Sequence, residues 1–322
     1  MKEQRKKRMK YIESLREGTR VSTVYLCRTK QTLLTKTGKE YFSLLLQDKT
    51  GTVDGKIWDP GNPGIGEFDA PDYVAVDADV TMFSGKIQLN VRRIRKADPG
   101  EYSPADYLPA SERSNDAMVM ELKTAIETVK DPNYRQLLKA VFIEDQEFLE
   151  QFRSRSAAKT VHHSFIGGLL EHTLSVTRLC EYYCRSYPYL KHDLLITAAL
   201  CHDIGKVKEL SAFPENDYTD EGQLLGHIVM GCEMLGEKIR KIPGFPEKKA
   251  AELRHCILAH HGELEYGSPK KTALVEAAAL NLADNTDAKL ETFREALCAP
   301  GAGNGWLGFN RYLDSNIRKS TE

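Results

Sequence analysis

The hydrophobic period of this chain changes once, between residues 95 and 117, and that change limits its fold more than any other feature. Before it, "RVSTVYLCRT", "EYFSLLLQD", "TVDGKIWD", "DYVAVDADVTMF" and "KIQLNVRRI" read as short strands, divided by "KTGK", "KTG", "GNPGIG" and "SGK". The stretch "KADPGEYSPADYLPASERSND" breaks all periodicity, with prolines and glycines among polar residues, and reads as a linker. After it, apolar residues recur at helical spacing from "AMVMELKTAIETV" to "ALVEAAALNLADNTDAKL".

Five strands in so short a stretch imply a small closed barrel, of which the OB-fold is the commonest of that size. The expected architecture is multi-domain: an N-terminal all-β OB-fold barrel with a basic leader (1–97), a linker (98–116) and an all-α domain (117–322). No internal repeat is visible, and "PGAGNGWLGFN" reads as a capping segment. A chain of 322 residues with 41% hydrophobic content can fill two cores. Its net charge of -1 neither demands nor excludes a polyanionic partner, so any basic surface must be local. No apolar run approaches the ~18 residues of a membrane-spanning helix. The start, "MKEQRKKRMKYIESL", lacks the apolar core and cleavage site of a secretion signal, so a cytoplasmic protein without membrane partners is expected. The seven cysteines show no short-spaced zinc pattern; buried reduced thiols are expected, Cys180 and Cys184 included.

All nine histidines fall within one hundred residues of the helical part. Helical phase puts His172 with Leu169, Val176 and Leu179, His260 with Leu253 and Ile257, and Asp284 with Ala273, Ala277 and Leu280. A lone histidine on such a stripe is ordinarily a hydrogen-bonded core residue. Several, together with Asp203 and Asp284, are another matter, because burying those charges uncompensated costs several kcal/mol each and a divalent cation satisfies them together. Nitrogen and carboxylate donors without thiolates point away from a structural zinc cluster.

The ordered set His172, "HD" at 202 and 203, His227 in "GHIVMG", His260 in "AHHG" and Asp284 in "NLAD" resembles the HD-domain superfamily of metal-dependent phosphohydrolases. With "VHHSFIGGLLEHTLSV", "CHDIGK" and "HHGELEYGSP" behind a barrel, nearly the whole chain resembles the YhaM-type bacterial 3'-5' exoribonucleases. The resemblance implies that His172, His202, Asp203 and Asp284 hold a first ion. His227 and His260 match the extra histidines of two-metal members, and Asp203 is the candidate bridge. One ion or two remains open, with manganese first and iron, cobalt, magnesium or zinc as alternatives. His261, off the stripe of His260, is left between metal contact, substrate contact and neither. His192 and His255 are expected to be bland, His192 in solvent.

The implied reaction is 3'-5' exonucleolytic hydrolysis of single-stranded RNA, or DNA, to nucleoside monophosphates by metal-activated water. Hydrolysis of a small nucleotide or cyclic dinucleotide is the alternative. Lys206, one turn after His202, is a candidate for holding the scissile phosphate, with a solvent-facing lysine as the plain reading. His163 is a candidate for touching phosphate or protonating the leaving oxygen. Gly167 and Gly168 serve either close backbone approach near the metal or helix packing.

On the barrel, alternation sends Val53 and Ile57 inward and leaves Lys56 and Trp58 outward, with Tyr41 on the outward set of its own strand. A cation and an indole suit phosphate and stacked base, and Lys86 and "RRIRK" (92–96) would extend the path. The plain alternatives are Trp58 packing on the linker and a solvated charge run. The leader "KEQRKKRMK" is either a solvated tail or a source of nonspecific phosphate contacts. A homo-oligomer is left open.

Overall fold

The structure, a computed structural model, describes residues 10–108, 110–159, 163–298 and 303–321. Residues 1–9 of the basic leader and His162 lie outside the described residues. Contacts divide the chain into two compact units, Met1–Pro109 and Ala110–Glu322.

In the first unit, β1 (Arg20–Leu34), β2 (Glu40–Asp48), β3 (Gly51–Ile57), β4 (Tyr73–Phe83) and β5 (Lys86–Lys96) close into a barrel in the order β1-β2-β3-β5-β4, with β4 returning to β1. All neighbours are antiparallel except β3 and β5. This is the connectivity of an OB-fold. Closure depends on β1, whose first half pairs with β4 and second half with β2; the register shifts between Cys27 and Thr29, where a bulge bends the strand from one partner to the next. Alternation puts Leu44, Leu46, Val53 and Ile57 inside, the last two as expected. Part of the stretch read as a linker packs on this unit: Tyr102 stacks on Tyr73 with ring centroids 3.9 Å apart, and Tyr107 meets Tyr73 edge-on. Aromatic rings among prolines and glycines were enough to anchor it.

The second unit is helical: α1 (Asn115–Thr128), α2 (Pro132–Phe142), α3 (Gln146–Phe152), α4 (Gly168–Ser186), α5 (His192–Cys201), α6 (Lys206–Glu209), α7 (Asp220–Arg240), α8 (Glu247–Leu258) and α9 (Val275–Cys298). The segment read as a cap contributes a strand, β6 (Trp306–Asn310), that pairs with β7 (Ser315–Arg318). Helix α5 carries buried residues at every position from Leu194 to Cys201 and packs against α4, α8 and α9. A helix apolar on all sides belongs at the centre of its unit. Among the described residues no helix is long and apolar enough to cross a membrane.

Candidate metal centre

The central helix α5 runs directly into His202 and Asp203, 0% and 1% exposed, which is how an imidazole and a carboxylate come to lie deep in an apolar core. Four other helices bring the remaining groups. Helix α4 presents His172 one turn after its start, α9 presents Asp284, and the end of α8 leads into His260. His227 comes from α7, which is kinked at Gly226 (φ 74°, ψ 155°) just before it. Two glycines allow the approach. A Cβ on Gly168 would lie 2.0 Å from the His163 carbonyl oxygen, and one on Gly205 would lie 2.0 Å from the His227 carbonyl oxygen. No side chain fits at either position; of the two roles left open for Gly168, this contact is a close backbone approach, made to the His163 carbonyl.

The inward-facing atoms fall into two groups that share Asp203. His172 Nε2 lies 3.2 Å from His202 Nε2, 3.2 Å from Asp284 Oδ1 and 3.5 Å from Asp203 Oδ2. His202 Nε2 is 3.4 Å from the same Asp203 oxygen. On the other side, Asp203 Oδ1 lies 3.4 Å from His227 Nε2 and 3.8 Å from His260 Nε2. His227, His260 and His261 each offer a nitrogen within 4.8 Å of the others. His261, left open from sequence, therefore stands with the second group.

Each of the four inward histidines is held by its other nitrogen. His202 Nδ1 donates to the Ala199 carbonyl at 2.8 Å and His260 Nδ1 to the Ile257 carbonyl at 2.6 Å. His172 Nδ1 donates to Asp287 Oδ2 at 2.7 Å, and His227 Nδ1 to Glu209 Oε1 at 2.9 Å. Carbonyls and carboxylates only accept, so each ring must carry its proton at Nδ1, and in the neutral ring each Nε2 keeps its lone pair facing inward. Glu209 Oε1 also accepts the His227 backbone N–H at 2.9 Å, capping the helix that restarts after the kink.

The electrostatics follow from crowding. Burial works against the Asp203 carboxylate, but Lys206 and His202 outweigh it and hold its pKa well below the usual range. Burial likewise opposes charge on Lys206, whose pKa is nonetheless raised because its Nζ stands 2.7 Å from Asp203 Oδ2. Burial, His261 and His202 push His260 well below its ordinary value, which keeps it neutral. Burial opposes the His172 imidazolium, yet the bonds to Asp284 and Asp287 raise it to about 10.

These residues suit a divalent cation. Asp203 Oδ1, His227 Nε2 and His260 Nε2 are buried with no hydrogen-bond partner, an arrangement that costs free energy unless something else satisfies them. Nitrogen and oxygen ligands at ~2.1 Å from one ion lie roughly 3.0–3.5 Å apart, which matches the spacings around His172 and His202. No cysteine joins either group, so the donor set is that of a nitrogen–oxygen site.

The remaining expected residues divide. His163 is buried, with Nε2 2.9 Å from Asp287 Oδ2. His192 is not in open solvent; its two nitrogens bond Asp193 Oδ1 at 2.9 Å and Glu181 Oε1 at 3.0 Å. The carboxylates one residue and one helix away explain the difference. His255 Nε2 accepts the Ala273 backbone N–H. Asp287 and Glu209 were missed from sequence, although Asp287 lies one turn after Asp284 on the same face of α9.

On the barrel, Tyr41 and Trp58 have ring centroids 4.9 Å apart, Trp58 is 45% exposed, and Lys56 Nζ donates to Ser43 Oγ at 2.6 Å. Lys86 is exposed at the start of β5, away from Asn90, the β5 residue beside Lys56. The run "RRIRK" is largely neutralised: Arg92 pairs with Asp79, Arg95 with Glu101 and Lys96 with Asp72. An open groove of about 550 Å³ beside Trp58 is lined by Asn62, Asn90 and Arg93 among others.

Comparison with known proteins matches residues 169–289 to the HD domain family. The HD domain of the phosphodiesterase PgpH of L. monocytogenes is 17% identical over 46% of this chain and 74% of that chain, with a TM-score of 0.29. The second OB-fold domain of replication protein A from Methanococcus maripaludis is 18% identical over 28% of this chain and 96% of that one, with a TM-score of 0.22. The 3'-5' exoribonuclease YhaM of Geobacillus sp. (strain WCH70) is 33% identical over 283 residues, 87% of this chain and 86% of the relative. On that extent of identity, and with the HD domain in place, the chain belongs to the YhaM-type 3'-5' exoribonuclease family.

Proposed function

We propose that this protein is a metal-dependent 3'-5' exonuclease that shortens single-stranded RNA, and DNA if offered, to nucleoside monophosphates. The observation that carries the hydrolytic part is the convergence of four Nδ1-anchored imidazoles on the two oxygens of Asp203. Polarity and substrate class come from the named relative.

In this reading His172, His202, Asp203 and Asp284 hold one divalent ion, and Asp203, His227, His260 and His261 a second, with manganese proposed for both. When bound, such ions lower the pKa of water toward neutrality and neutralise phosphoryl oxygens as charge builds there. The anchored Nδ1 atoms keep each Nε2 aimed without reorganisation during the reaction. Lys206 is the cation for the scissile phosphate. Its charge is secured by Asp203, so it is already in place when substrate arrives. On the barrel, Tyr41 and Trp58 offer a stacking platform, and Lys56 and Lys86 offer charges for the backbone, a combination that tolerates any base sequence.

The test is a 5'-labelled single-stranded RNA incubated with manganese and either the native protein or Asp203→Ala. A ladder receding from the 3' end with the native protein alone is the expected result. Internal cuts only, or intact RNA, would overturn the assignment.

A further inference from the structure

We infer that Asp287 is a positioning residue for the metal centre and that His163 acts through it rather than on the substrate; this rests on His172 being a ligand. Asp287 Oδ2 accepts two imidazole N–H groups, from His172 Nδ1 at 2.7 Å and His163 Nε2 at 2.9 Å. The first bond fixes the His172 tautomer and leaves its Nε2 facing His202, Asp203 and Asp284. A carboxylate in that place also makes the ring a stronger electron donor to a metal.

The main chain of His163 is constrained, and its Nδ1 is buried without a hydrogen-bond partner. The residue is 3% exposed, its φ is +58°, and its carbonyl accepts the Ala157 N–H at 3.1 Å while lying against Gly168. A residue so placed, with Nε2 spent on Asp287, is poorly arranged to hand a proton to a leaving oxygen. It is well arranged to keep the Asp287 carboxylate in one orientation. Of the four inward histidines, only His172 and His227 are backed by carboxylates. Asp287 is the one of the two carboxylates that is itself braced by a further imidazole.

An ion pair that merely fastens α9 to the loop before α4 would have the same contacts, so metal affinity is the deciding readout. Manganese is titrated into metal-stripped full-length protein, with free ion followed by electron paramagnetic resonance, for the native chain, Asp287→Ala, Asp287→Asn, His163→Gln and His172→Ala. Asp287→Ala is expected to bind about 10- to 100-fold more weakly at the site that His172→Ala abolishes. Asp287→Asn, whose amide oxygen can accept the same bonds without the charge, falls between it and the native protein, and His163→Gln shifts affinity the same way by less. Raised manganese should recover the activity of Asp287→Ala. Native affinity in both folded Asp287 variants, with His172→Ala defective, would overturn the inference alone; native affinity in His172→Ala as well would bring down the ligand assignment beneath it.

Discussion

Asp203 Oδ1 and His227 Nε2 face each other across 3.4 Å, both buried and neither hydrogen-bonded, while Oδ2 of the same carboxylate faces His172 and His202. One side chain therefore serves two groups of imidazoles. Asp203→Ala is expected to lose all bound metal and about 10³-fold or more in activity, in line with the several kcal/mol that a metal supplies to a phosphoryl transition state. His227→Ala should lose only part of the metal. Metal-to-protein ratios by mass spectrometry, measured beside single-turnover RNA cleavage, check both; full metal content in Asp203→Ala would contradict the bridging role.

Gly205 sets where His227 sits. Its absent Cβ would lie 2.0 Å from the His227 carbonyl oxygen and 2.7 Å from the Gly231 nitrogen, both main-chain atoms. Gly205→Ala must push α7 away from the turn that follows Asp203, which is expected to cost about 3 kcal/mol or more, as severe overpacking does. Chemical unfolding of the metal-stripped protein reads this directly. An unchanged midpoint would mean that the two segments part without penalty.

His192 gives a pH dependence remote from the centre. Burial works against its charge, but hydrogen bonds to Asp193 and Glu181 outweigh that and raise its pKa above the ordinary value. A folded-state pKa raised in this way stabilises the protein fully below the unfolded value of ~6.5, and the benefit is lost as pH climbs through the raised value. The melting-temperature advantage of the native protein over His192→Gln should thus be greatest at acidic pH and shrink above neutrality. A constant difference across that range would show that the imidazole does not change charge there.

Trp58 and Tyr41 test the barrel. Stacking of a base on an aromatic ring contributes ~1–3 kcal/mol, so Trp58→Ala should raise KM for long single strands by about tenfold and leave kcat close to native. Fluorescence anisotropy with a labelled oligonucleotide and steady-state kinetics separate the two effects. Loss of kcat with unchanged binding would argue for a structural role of the indole instead.

The two folds were legible because period two and period 3.6 differ plainly, and because a run such as Leu194 to Cys201 has no polar face to expose. His172, His202, Asp203 and Asp284 were legible as polar residues on apolar stripes. Glu209 was not, since its bonds to His227 depend on the kink at Gly226, a tertiary feature without a local sequence signature. His261 was left open because helical phase put it off the stripe of His260. That phase did not apply, because α8 ends at Leu258 and the doublet follows in a turn. The strand β6 was hidden by Gly308 and the glycines before it, and the neutralisation of "RRIRK" by carboxylates that come alongside only in the folded barrel and the turn after it.

The most direct measurement is anomalous diffraction at the manganese edge from crystals grown with that ion. One peak enclosed by His172, His202, Asp203 and Asp284, and a second by Asp203, His227, His260 and His261, is the expected result. Peaks confined to surface carboxylates, with the central histidines hydrogen-bonded only to one another, would contradict the metal centre and the hydrolytic function built on it.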